Sequence, residues 1–123
     1  MTILLFVGSG LTILWGITHL LPTKNIINDF GEISKDNRHI ITMEWIIEGV
    51  SLIFIGALVL VVTTINPNTR VSNAVFITSS TGLLALALVS LFTGFKVNFF
   101  PFKICPFILT TSSILILVGA LAS

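Results

Sequence analysis

Glu44 and Glu48 stand one helical turn apart in the run Met43-Glu44-Trp45-Ile46-Ile47-Glu48-Gly49, near the start of a long apolar stretch. An ionised side chain at the centre of a bilayer costs about 2.5–3.5 kcal/mol on insertion scales. A chain that carries two such residues is expected to use them or to pair them. Two carboxylates in a low-dielectric site tend to share one proton rather than ionise together, and such a pair serves as acid and base towards a bound molecule. Histidine is the residue that moves a proton near neutral pH, and His19 lies close to the same level of the chain's apolar part. The candidate catalytic residues are therefore Glu48, Glu44 and His19. Glu44 has a simpler alternative, snorkelling to the headgroups; Glu48 lies too deep for that.

A metal centre is a poorer account of these residues. Di-metal helical bundles use a Glu-x-x-His repeat and more carboxylates, and that repeat is absent from the sequence. His39 falls about 140° from Glu44 around a helix, which makes it a poor further ligand. No metal and no other cofactor is expected. Cys105 is the single cysteine, which excludes an internal disulfide, and is expected to be a small apolar packing residue. CxxC, HExxH, phosphate-loop and dinucleotide-binding motifs are missing.

The elements that must position these side chains are membrane helices. Hydrophobic residues make up 54% of the 123 and charged residues only 9%, with a mean hydropathy of +1.09. A soluble domain carries roughly a quarter charged residues. The net charge of +1 gives no basis for a nucleic-acid partner. All five acids lie between Asp29 and Glu48. The expected fold is all-α, a single integral membrane domain of four antiparallel spans at about residues 3–21, 39–65, 72–94 and 104–122. The first run lacks a basic leader and a cleavage site and is read as a retained helix. Gly8, Thr12 and Gly16 form a small-residue row suited to close helix packing.

The connections carry their own signals. Pro22 ends the first span. Ile26, Ile27, Phe30 and Ile33 recur on one side of the 22–38 connection, which fits a short interfacial helix or an ordinary loop. Ser34 suits the N-cap of the second span, with Asp36 in its first turn. Asn66-Pro67-Asn68 reads as a turn. Residues 95–103, with four Phe and two Lys, have the composition of an interfacial anchor.

Orientation follows from the basic residues. Lys24, Lys35, Arg38, Lys96 and Lys103 fall in the two connections on one side, against Arg70 on the other. The positive-inside rule places those connections in the cytoplasm and both termini outside, in a multi-pass protein of the cell (plasma or inner) membrane. His19, Glu44 and Glu48 then share the cytoplasmic half, where span 3 ends with Ser90 and Thr93 and span 4 begins with Pro106. The expected result is a cytoplasm-facing pocket between the helices. Trp15 and Trp45 are candidate walls, and Ser51, Thr110 and Ser113 candidate ligand-binding groups. Most other hydroxyls are expected to bond carbonyls of their own helix.

His19-Leu20-Leu21-Pro22-Thr23, Asp29-Phe30-Gly31, Asp36-Asn37-Arg38 and the Met43–Gly49 run, taken with the size and span number, resemble the DoxX-like group of small bacterial membrane proteins. The likeness is best over residues 1–65. It implies a four-helix bundle, and no motif among these carries an activity over. Three functions remain open at this point. The first is binding or converting an amphipathic, lipid-like small molecule by carboxylate acid–base chemistry. The second is a proton- or cation-coupled transporter or channel working as a homo-oligomer. The third is an accessory subunit of a membrane complex.

Overall fold

A computed structural model describes residues 2–94, 96 and 100–122. Among these there is helix and no strand. The helices are α1 (Thr2–Leu20), α2 (Thr23–Asn28), α3 (Lys35–Ile65), α4 (Arg70–Gly94) and α5 (Phe100–Leu121). All but α2 contain a stretch long and apolar enough to cross a membrane. Within the 95–103 segment, residues 95 and 97–99 lie outside the described residues.

Local chemistry sets the helix ends. Pro22 offers no N–H to the Thr18 carbonyl, and α1 stops at Leu20. The chain then makes the short helix α2, which buries Ile26 and Ile27 while Phe30 stays exposed. Of the two forms open to this connection, it takes the helical one over Thr23–Asn28. Gly31 follows with φ +73°, a conformation that glycine adopts without strain. Ser34 then caps α3, its Oγ accepting from the Asn37 N–H at 3.1 Å. Arg38 ties the connection down, donating to Asn28 Oδ1 at 3.1 Å and to the Gly31 carbonyl at 3.4 Å. Helix α3 therefore starts four residues before the expected span, and its 31 residues reach about 46 Å, beyond the hydrocarbon thickness. At its far end the Asn66 side chain accepts from the Asn68 N–H at 3.0 Å and closes the turn to α4. Helix α5 likewise begins before the expected span, so Pro106 lies inside the helix instead of at its start.

The outside of the bundle is as apolar as the inside. Leu52, Val59, Phe76, Leu83, Leu109 and Ile116 are fully buried, yet Phe54, Val61, Val71, Phe92 and Phe107 are exposed. Exposed apolar surface on this scale needs a partner other than water. Helices α1 and α3 pack closely, as do α4 and α5; α1 also rests on α5, and α3 meets α4 over only a few residues. Gly16 lies against Gly49 and Ile53 of α3, and Gly56 lies against Ser9 and Ile13 of α1. The third member of this contact set, Gly8, faces Ser112, Leu115 and Ile116 of α5. The Gly8-Thr12-Gly16 row is thus buried and divided between two neighbours.

Most hydroxyls bond carbonyls of their own helix, as in Thr12 to Gly8 at 2.8 Å and Thr111 to Phe107 at 2.7 Å. Ser80 and Ser113 do otherwise. Each donates to the other's backbone carbonyl across α4 and α5, both at 2.8 Å. Interhelical bonds in membrane proteins contribute about 0.6 kcal/mol on average. The two hydroxyls also meet each other, Oγ to Oγ at 2.8 Å, and a double-mutant cycle on Ser80→Ala and Ser113→Ala, read by unfolding in detergent, is expected to show a coupling of about that size. Additive single effects would mean that the contact between the two hydroxyls contributes nothing.

Candidate functional site

The end of α1 fixes His19. Its carbonyl is one of the last-turn acceptors that the helix leaves unpaired, and the Trp45 indole N–H donates to it at 2.9 Å. The same indole lies flat on the imidazole, with ring centroids 3.9 Å apart and planes 16° apart. Trp45 thus holds both the backbone and the ring of His19. One turn further along α3, Glu48 Oε2 stands 3.6 Å from His19 Nε2. The imidazole is 8% exposed and the Glu48 side chain 43%. Nε2 is buried and has no hydrogen-bond partner. Two lone pairs aimed at each other across this gap would repel, so the contact calls for a proton on one atom or the other.

These groups open onto a cavity of about 470 Å³. Five elements contribute to it: Trp15, Thr18 and His19 from α1, Ile26 from α2, Trp45 and Glu48 from α3, Leu86 and Val89 from α4, and Ile104 and Cys105 from α5. Pro22 completes the wall beside α1, and Ser90 and Thr93 add hydroxyls from α4. Cys105 is buried; the Trp15 indole donates to its sulfur at 3.3 Å, and Ser90 Oγ lies 3.4 Å from it. The surface is mainly aliphatic and aromatic, with a few polar groups gathered at Glu48 and His19. That is the common make-up of a small-molecule site, and the volume falls in the usual range.

Comparison with protein families, with curated proteins and with solved structures yields no match.

The expected site residues divide into two groups. The cavity brings together Glu48, His19, Trp15 and Trp45, and with them Ser90 and Thr93, which the sequence had placed at the same level. Glu44 is exposed and is not among the described residues that line it. Ser51 is exposed as well. Thr110 borders a separate, smaller cavity of about 230 Å³ between α4 and α5. Ser113 is held in its bond with Ser80. The part of α5 that reaches the Glu48 level is its first turns at Ile104 and Cys105, not the 110–113 run. Cys105 is a packing residue, as expected, and a wall of the cavity too. Among the described residues, no group of three or more His, Cys, Asp or Glu converges as metal ligands would.

The packing of α3 separates Glu48 from Glu44. Its buried residues Gly49, Leu52, Gly56, Val59 and Thr63 form one stripe, which Trp45 extends back by a turn. At about 100° per residue, Glu48 sits about 60° from Trp45 on the edge of that stripe, whereas Glu44 and Ser51 lie about 100–120° away. The glycines at 49 and 56 are the sequence signal that would have found this face.

Proposed function

We propose that this chain is a multi-pass protein of the cell membrane that binds or converts an amphipathic, lipid-like small molecule in the cavity at Glu48 and His19. In this reading the chain is one antiparallel four-helix domain with both termini outside and the cavity at its cytoplasmic end. The basic residues Lys24, Lys35, Arg38, Lys96 and Lys103 support that orientation. The register of α1 against α3, with Gly16 at Gly49 and Ser9 at Gly56, supports the antiparallel arrangement. A relation to the DoxX-like group fits the size, the span number and the motif run around Glu48.

The observation that carries the reading is the unpartnered, buried Nε2 of His19 facing Glu48 in a cavity of about 470 Å³ with aliphatic walls. A buried polar atom without a partner is costly, and a ligand head that bonds it removes the cost. His19 and Glu48 together can give a proton to a basic atom of such a head, or accept one from it. The thin α3–α4 contact offers a lateral way in from the lipid for a tail that would not cross water.

Both tryptophans of the chain line the cavity, so intrinsic fluorescence reports on it without background from other tryptophans. Protein in lipid nanodiscs is titrated with an alkyl alcohol brominated in its tail, bromine being a short-range quencher. Saturable quenching at an amphiphile-to-protein ratio near one supports the reading. Quenching that rises with the lipid-phase concentration and never saturates contradicts it.

A further inference from the structure

We infer that the ligand of this cavity carries a cationic head, an organic ammonium on a lipophilic tail. The inference rests on the proposed small-molecule site and specifies its ligand class.

The charge pattern of the lining points this way. Glu48 is the one carboxylate among the described lining residues, and no Lys or Arg stands among them. Among the described residues, His19 is the only basic group within 4.0 Å of its carboxylate, at 3.6 Å. Nearly half of the side chain remains accessible, so an incoming molecule can reach it. In aliphatic surroundings a carboxylate favours a cation strongly and an anion not at all. The rings add to the same preference. Trp15 and Trp45 line the cavity with Glu48, and indole faces attract ammonium groups, most of all where water is excluded. The aliphatic side chains of Ile26, Leu86, Val89 and Ile104 suit a hydrocarbon tail. Among the described lining residues an anionic headgroup finds no Lys or Arg, and the α1 end at the cavity is its carbonyl end.

The test compares three probes with the same tail and different heads: decyltrimethylammonium, decanol and decyl sulfate. Each competes with the brominated alcohol in nanodiscs of zwitterionic lipid, and concentrations are referred to the lipid phase. Decyltrimethylammonium is expected to compete at least tenfold better than the other two. Glu48→Gln is expected to erase that preference, and Glu48→Asp, which keeps the charge, to retain most of it. If the three probes compete equally, the cationic head is refuted while the cavity reading stands. If neither the probes nor the brominated alcohol bind saturably, both fall. A preference for decyl sulfate would overturn the inference outright.

Discussion

Glu48→Gln is expected to lower the affinity of the cavity for decylammonium, a primary ammonium with N–H donors, by about tenfold to a hundredfold. That range corresponds to losing one charge-assisted hydrogen bond of roughly 1.5–3 kcal/mol. Glu44→Gln, one turn away on the same helix, is expected to change it less than twofold. The contrast follows from position: Glu48 lines the cavity beside His19, and Glu44 is exposed outside it. Bromine quenching of Trp15 and Trp45 gives both affinities in the same assay. The comparison controls for charge, since each substitution removes one carboxylate from the same helix. Equal losses from the two variants would place the effect in the general field of the acidic segment and not in the cavity.

The largest effect on stability is expected at Gly56. A methyl group there would stand 2.8 Å from the Ser9 carbonyl oxygen and 2.6 Å from Ile13 Cγ1. The side chain could turn aside, but the carbonyl belongs to a helix backbone and can move only with α1. Overpacking of this kind costs about 1–3 kcal/mol, and more where backbone must shift. Gly56→Ala is therefore expected to lower the unfolding temperature in detergent by several degrees. Gly10→Ala meets nothing within 4 Å and is expected to raise it slightly, because alanine favours the helix by roughly 0.5–1 kcal/mol. Because the α1–α3 contact also positions His19 against Trp45 and Glu48, Gly56→Ala should weaken binding too. If the protein tolerates Gly56→Ala as well as Gly10→Ala, the close approach of α1 and α3 is wrong.

The sequence showed the helices and their depth more readily than their rotation. Apolar length and Pro22, Ser34 and Asn66 were enough to locate the long helices to within a few residues, because solvation and local hydrogen bonding set those ends. Counting residues from the basic connections also brought His19, Glu48, Ser90 and Thr93 to one level. Depth already favoured Glu48 over Glu44, which can snorkel, but it does not give their rotation, which differs by only about 40°. That difference is decided by where α3 touches α1, a contact governed by glycines at 49 and 56 against Gly16 and Ser9. The same limitation explains Thr110 and Ser113. Helix α5 begins nearer the cavity mouth than the apolar run suggests, so Cys105 arrives at the level of Glu48 while Ser113 meets Ser80 deeper in the bundle. The role of Trp45 in holding His19 was out of reach as well, since it depends on a carbonyl freed at the end of another helix.

The central claim, that an amphiphile occupies this cavity with its head at Glu48 and His19, is tested most directly by photocrosslinking. A decylammonium with a diazirine beside the nitrogen is bound in nanodiscs and irradiated, and the adducts are mapped by peptide mass spectrometry. The account predicts adducts at Trp15–Pro22, Trp45–Glu48, Leu86–Thr93 and Ile104–Cys105, reduced by unlabelled competitor. Adducts confined to outward residues such as Phe54, Val61 and Val71, and unaffected by competitor, would contradict it.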